Sequence, residues 1–197
     1  MNRKLTYPLH PLPNPLPTMT NNQPPITNHF LIGPPSSGKS TLATFLTQLD
    51  SNTVIISTDA IRAQLFGDET IQGDWSVIES EVLRQIHQTL AAKKSVIYDA
   101  TNAKREWRTA LLSQISGGNI QWLAWHLKTP LETCLLWNQK RHRQVPPSVI
   151  TEFYQALNDV PPQPAEGFVS VYSISVMPDG LNLVQVQQQF EAFFAVT

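Results

Sequence analysis

Nine consecutive residues carry the strongest chemical signal in the chain. They are Gly33, Pro34, Pro35, Ser36, Ser37, Gly38, Lys39, Ser40 and Thr41. The pattern of Gly, four residues, Gly, Lys and then Ser or Thr is that of a phosphate-binding loop, or P-loop. Glycine lets the backbone turn tightly, so that its N–H groups converge on an anion. Lys39 can then reach the outer phosphates of a nucleotide, and the Ser40 hydroxyl can ligate Mg²⁺.

The segments on either side of this loop fit the same interpretation. Residues 29–32 form a short apolar run that predicts a buried strand. Leu42, Phe45, Leu46 and Leu49 follow at helical spacing, and the positive end of that helix would add to the anion site. The alternative is an ordinary glycine-containing turn, which the strand–loop–helix order disfavours.

Two carboxylates follow the next predicted strands. Asp59 comes after the β-branched run 53–57, where it could activate or orient a hydroxyl, or simply cap a helix. These two interpretations stay open. Arg62, three residues later, could pair with Asp59 or hold an anionic acceptor. Asp99 ends the apolar strand 95–99 and is suited to hold Mg²⁺ or its water shell, the alternative being a turn residue.

A compact basic run occupies residues 140–143 and precedes two prolines. Such runs often serve only solubility. Arg141 and Arg143, however, are predicted at a helix end before a proline break, which suits a mobile lid over about residues 137–147. Arginines in a closing lid supply positive charge to a transferring phosphoryl group. We therefore favour the lid.

Four other polar residues receive weaker predictions. Arg105 and Arg108 are expected to decorate a helix surface, Asn102 to cap that helix, and His126 to be packed in a strand. The five histidines show no metal-ligand spacing.

Hydrophobic periodicity places these residues on alternating strands and helices from residue 29 onward. Strands are predicted at 29–32, 53–57, 95–99, 120–127 and 168–176. Helices are predicted directly after the P-loop, from 59, 75, 104 and near 130, over a segment that includes residues 149–157, and at 183–194. Alternation of this kind predicts an α/β sandwich of three layers, with a mostly parallel sheet between helices on both faces. Ligands bind at the carboxyl ends of such strands, so Gly33, Asp59 and Asp99 should face one crevice.

Composition limits the class of protein. The chain has 197 residues, a net charge of −1 and only 15% charged residues, which argues against coating nucleic acid through a broad basic face. One cysteine, no apolar run of membrane length and no secretory h-region lead us to expect a cytoplasmic protein. Residues 1–28 hold seven of the 16 prolines and are expected to be a disordered tail, with Met1 or Met19 as the start. Residues 29–197 are expected to form one domain.

Five segments in this order resemble the P-loop kinase family of polynucleotide 5′-hydroxyl kinases, in a stand-alone, AAA-type form. The segments are 33–41, 57–62, 98–102, 141–146 and 164–168. The resemblance implies ATP and Mg²⁺ as cofactors, with residues 33–41 around the nucleotide phosphates. Lys39 would bind the phosphates, and Ser40 would bind both the phosphates and the metal.

The same resemblance implies an acceptor half of the site. Asp59 would activate the acceptor hydroxyl and Arg62 would contact the acceptor. Arg141 would stabilise the transferring phosphoryl group, with Arg143 assisting.

These observations predict an ATP-dependent phosphotransferase, a kinase that uses ATP and Mg²⁺ on a hydroxyl. The acceptor would be a polynucleotide 5′-hydroxyl or a small hydroxylated metabolite. The main alternative is a P-loop ATPase or nucleotide-dependent switch without an acceptor. The sequence leaves the acceptor, the choice of ATP or GTP and the oligomeric state open.

Overall fold

The computed structural model describes residues 24–177 and 180–195, so most of the predicted tail lies outside the described residues. The strands are β1 Ile26–Ile32, β2 Thr53–Ser57, β3 Ser95–Asp99, β4 Ile120–Leu127, β5 Ser170–Ile174, β6 Val176–Met177 and β7 Gly180–Leu181. The helices are α1 Lys39–Leu49, α2 Thr58–Phe66, α3 Trp75–Ala91, α4 Arg105–Gln114, α5 Leu131–Gln139, α6 Pro147–Asp159 and α7 Leu183–Phe194. A short 3-10 helix, Pro164–Glu166, precedes β5.

β1 to β5 form a parallel sheet in the order β2-β3-β1-β4-β5. The first strand therefore lies in the middle, with the loop that follows it flanked by the ends of its neighbours. Leu31 in β1 pairs with Asp99 in β3 and with Trp125 in β4, so these strands end at the same edge. This arrangement confirms the predicted α/β fold and its parallel sheet.

Alternate strand residues supply two separate cores, one on each face of the sheet. Phe30 and Ile32 belong to a cluster that also contains Ile78, Val82 and Ile86 of α3. The intervening Leu31 packs on the other face with residues of α1 and α7, among them Leu42, Leu46 and Val186. Successive strand residues point to opposite faces of the sheet, and here both sets are apolar. Helices must therefore cover both faces. The predicted three layers are present.

The central strand begins at Ile26, three residues before the predicted start, so residues 26–28 belong to the domain rather than to a tail. Because Thr27 and Asn28 are polar, the hydrophobic pattern did not indicate that the strand begins at Ile26. Asn28 is fully buried because its side chain serves as a sheet bond: its Oδ1 accepts from the N–H of Val96 at 2.8 Å, and its Nδ2 donates to the carbonyl of Gln121 at 3.2 Å.

Two further boundaries differ from the prediction. The last strand of the main sheet ends at Ile174, and the chain then forms the separate β6–β7 hairpin. The basic run 140–143 follows α5 instead of ending it, since that helix stops at Gln139. Within the described part of the chain, no helix combines the length and apolar character needed to cross a bilayer.

Candidate functional site

The P-loop joins the central strand to α1 and has the shape its glycines predicted. A Cβ at Gly33 would stand 2.5 Å from the Ser37 hydroxyl oxygen, so a side chain would displace the loop. Gly38 has φ 97°, in the left-handed region that glycine adopts freely. It supplies no side-chain cap to α1, so the first N–H groups of that helix stay available to an anion. Ser36 is also left-handed, with φ 60°.

Lys39 is buried inside this loop. Its Nζ donates to the carbonyls of Gly33 at 2.9 Å and Pro34 at 2.8 Å. Burial lowers the pKa of Lys39, and the nearby carboxylates of Asp99 and Asp59 partly oppose that shift. The ammonium is therefore placed against the concave side of the loop, where a bound phosphate would meet it.

Ser40 and Asp99, the two residues predicted to hold Mg²⁺, are in direct contact. Ser40 Oγ donates to Asp99 Oδ2 at 3.0 Å. Burial raises the pKa of the Asp99 carboxyl, and the charge of Lys39 and the Ser40 hydrogen bond act in the opposite direction. A hydroxyl beside a carboxylate is the kind of hard oxygen pair that Mg²⁺ binds. No group of three or more His, Cys, Asp or Glu able to hold a metal occurs among the described residues, so the fit is to a Mg²⁺ that also binds phosphates and water.

Asp59 lies in the first turn of α2, but it is not the helix cap. The cap is Ser57, whose hydroxyl accepts from the N–H of Ala60 at 3.5 Å. The Asp59 carboxylate is free for two other contacts: Arg62 Nη1 at 2.9 Å and Arg143 Nη1 at 3.1 Å. The capping interpretation was wrong, because Ser57, two residues before Asp59, caps the helix.

The lid arginines occupy different places. Arg143 also binds Glu69 Oε1 at 3.1 Å, so it joins Asp59 to the loop between α2 and α3. Arg141 is exposed, and its Nη1 contacts the hydroxyl of Ser36 at 3.4 Å, directly above the P-loop. The structure thus brings Arg141 to the nucleotide half of the crevice and Arg143 to the Asp59 half.

Asn138, a residue that no sequence pattern singled out, connects the two ends of the segment predicted to be a lid. Its side chain is buried and exchanges two hydrogen bonds with the backbone of Val145, each 2.9 Å long. Its Oδ1 also accepts from Ser36 Oγ at 3.3 Å. A buried amide thus closes residues 139–145 into a loop and ties it to the P-loop. An Asn inside a helix just before a basic run is the only local signal for this role.

Two weaker predictions were wrong. Asn102 does not cap α4, whose first flanking residue is Lys104; it has φ 50° and its side-chain amide donates to the Leu31 carbonyl at 2.7 Å. Arg108 does not decorate a surface, because it is fully buried against Glu166. By contrast Arg105 is exposed, with Glu166 4.0 Å away, and His126 is buried in β4 as predicted.

Comparison with protein-family models identifies the family of this chain. The family model described as an AAA domain matches residues 29–159, about two thirds of the chain. The chain belongs to this family. The match spans the P-loop, both carboxylates and the lid. No curated protein sequence matches the chain with significance.

Solved structures share the fold of this AAA domain. A chain of the Pnkp1/Rnl/Hen1 RNA repair complex is 21% identical with a TM-score of 0.64, over 71% of this chain and 46% of that chain. The gluconokinase from Sinorhizobium meliloti 1021 is 18% identical with a TM-score of 0.54, over 89% of this chain and 99% of the gluconokinase. A fungal RNA kinase is 16% identical with a TM-score of 0.57, over 85% and 45%.

These likenesses confirm the predicted P-loop kinase-like fold. The chain spans less than half the length of the matched chains from the RNA repair complex and the fungal RNA kinase, and nearly the whole of the gluconokinase.

Proposed function

We propose that this AAA domain is an ATP-dependent kinase that transfers the γ-phosphate of ATP to a hydroxyl acceptor. One observation carries the proposal: Asp59 presents a carboxylate between two arginines at the crevice that also holds the P-loop. Asp59 lies two residues after Ser57, which pairs with Asp99 across the sheet. The charge of Asp59 also raises the pKa of both Lys39 and Asp99, which supports a location near these groups. The two arginines beside this carboxylate suit an anionic acceptor, which a protein that only hydrolyses ATP does not bind.

The residues divide the transfer among them. Asp59 takes the proton from the acceptor hydroxyl while that oxygen attacks the γ-phosphorus. The bond from phosphorus to the bridging oxygen breaks, and ADP leaves with the electron pair. Lys39 and Arg141 neutralise charge on the phosphates, so the reaction gains from positioning and electrostatics. Mg²⁺, held at Ser40 and Asp99, would offset phosphate charge when bound.

The arginines on either side of Asp59 favour an acceptor that carries a negative group close to its hydroxyl. Arg62 and Arg143 supply the positive charge that would bind this negative group. Glu69 already shows that a second carboxylate fits against Arg143. A polynucleotide 5′ end has a phosphate near its hydroxyl, so it ranks first; a small anionic metabolite fits the same contacts. The low overall charge suits a grip on a strand end rather than along a strand.

Labelled ATP tests the proposal with a panel of acceptors: 5′-hydroxyl DNA and RNA oligonucleotides and small alcohols with and without an acidic group. We expect label on an anionic acceptor, and no turnover with Lys39→Ala. Asp59→Asn should slow transfer by roughly 10²- to 10⁴-fold, since it removes a general base. Its affinity for ADP should not change.

Asp50→Asn makes the same chemical change at the end of α1, outside the site, and should behave as wild type. Label appearing only as free phosphate, in every arm and at the same rate in Asp59→Asn, would mean that the protein is an ATPase or switch without an acceptor.

A further inference from the structure

Arg108 is the most completely satisfied charged side chain in the described structure, and the proposed transfer gives it no direct part. Its side chain is fully buried. Nε and Nη2 donate to the two carboxylate oxygens of Glu166 at 2.6 and 2.8 Å. Nη1 donates to the carbonyls of Asn102 at 3.2 Å and Ala103 at 2.9 Å, and Nη2 donates to the carbonyl of Val160 at 3.3 Å.

These five contacts use all five N–H donors of the guanidinium. None is left for a substrate, so Arg108 can act on the reaction only through the groups that it holds. Burying a cation is unfavourable unless it is paired and hydrogen-bonded, and here both conditions are met. The pairing fixes the positions of three separate backbone carbonyls around one rigid, planar group.

The loop held by Arg108 is the one that supports the P-loop. Residues 100–103 connect Asp99 to α4. The carbonyl of Thr101 accepts from the N–H of Gly33 at 3.2 Å, at the first residue of the P-loop. The Asn102 amide donates to the carbonyl of Leu31, two residues before Gly33. Two hydrogen bonds therefore connect this loop to the chain that enters the P-loop.

Asn102 sits at φ 50°, a left-handed conformation that asparagine tolerates better than most residues other than glycine. The Arg108 bond to its carbonyl stabilises that conformation. Val160 follows α6, which begins directly after the lid, and Glu166 lies in the 3-10 helix beyond it. The Arg108 guanidinium thus joins the C-terminal end of α6 to the loop beneath the P-loop.

We propose that Arg108 is a positioning residue of the nucleotide site: through residues 100–103 it sets the placement of the P-loop and of Asp99. The inference rests on the proposed phosphoryl transfer. Glu166 fixes the orientation of the guanidinium, so the positioning role depends on both residues. Lysine at this position would keep the charge but has three donors on one nitrogen, which cannot reach five acceptors arranged in a plane.

The test compares Arg108→Lys with Leu90→Ala. Leu90 is buried at the end of α3, which leads into the start of β3 at the opposite edge of the sheet, so its loss lowers stability without touching the site. ADP affinity is measured by calorimetry with Mg²⁺, and kcat and KM for ATP are measured at a temperature where circular dichroism shows all variants folded. We expect Arg108→Lys to weaken ADP binding and to lower kcat by at least tenfold each. Leu90→Ala should stay within twofold of wild type.

A folded Arg108→Lys with wild-type affinity and kcat would overturn the inference. If that variant does not fold, Asn102→Gly takes its place, because glycine keeps the left-handed backbone and removes the amide bonds to the carbonyls of Leu31 and Ala100. The same tenfold losses are expected, and wild-type values would again refute the role. A wild-type protein that binds no ADP would instead refute the proposed function, since its failure does not depend on Arg108.

Discussion

Acidification should destabilise this domain in part through a histidine in its central strand. His29 is fully buried, and its Nδ1 accepts a hydrogen bond from the indole Nε1 of Trp125 at 3.0 Å. Its ring also stacks on Phe190 of α7. Burial lowers the pKa of His29 from 6.5 to about 4. The folded protein therefore holds this imidazole neutral under conditions in which an unfolded chain would protonate it.

The sign and size of the effect follow from proton linkage. Above pH 6.5 His29 is neutral in both states, and the unfolding free energy does not depend on its titration. As the pH falls below 6.5, only the unfolded chain binds the proton, so the unfolding free energy decreases. The decrease stops near pH 4, where the folded protein also binds the proton. With these two pKa values, lowering the pH from 7 to 5 removes about 2 kcal/mol of unfolding free energy through His29. That is a large part of the stability of an ordinary domain.

Urea unfolding followed by tryptophan fluorescence at pH 7 and pH 5 measures this loss. His29→Gln keeps an acceptor for Trp125 but does not titrate, so its loss between the two pH values should be smaller than that of wild type by about 2 kcal/mol. Carboxylates that titrate in both proteins cancel in the comparison. His142→Gln removes an exposed histidine and should leave the wild-type difference unchanged. Equal losses in wild type and His29→Gln would refute the reasoning.

Two further predictions concern the site. Gly38→Ala should weaken ADP binding by at least roughly tenfold, because a left-handed alanine costs about 1–2 kcal/mol and its Cβ would lie 3.1 Å from Leu181; unchanged calorimetric affinity would contradict this. Glu69→Gln should lower KM for an anionic acceptor several-fold by releasing Arg143, while the melting temperature changes little, since exposed ion pairs contribute roughly 0.2–1 kcal/mol. A raised KM in steady-state kinetics would instead mean that Glu69 helps Arg143 to bind the acceptor.

The elements and the position of the P-loop between β1 and α1 could be predicted because their signals are local. The P-loop is defined by nine adjacent residues, and the predicted bounds of β4 and α7 agree with the structure because apolar residues recur there at strand and helix spacing. Asp99 could be assigned because it ends an apolar strand. In each case the residues that decide the structure lie within one element.

The errors at Asn28, Asn102 and Arg108 have a different physical cause, which is that the partners of these polar residues are distant in the chain. Asn28 pairs with Val96, and Arg108 pairs with Glu166, 58 residues away. No window of sequence contains both partners, so Asn28 resembled part of a polar tail and Arg108 resembled a surface arginine. Burial of a polar side chain depends on where the rest of the chain supplies an acceptor.

The contact between Gly38 and Leu181 has a consequence for synthesis of the protein. The P-loop is near the beginning of the chain, but the side chain that covers it comes about 140 residues later. At ordinary translation rates that interval is roughly 10–30 s. The neighbours of the central strand, β3 and β4, also emerge after the loop itself. A growing chain on the ribosome therefore carries an exposed, unfinished P-loop until residue 181 has been made, and we expect nucleotide binding only once the chain extends at least that far.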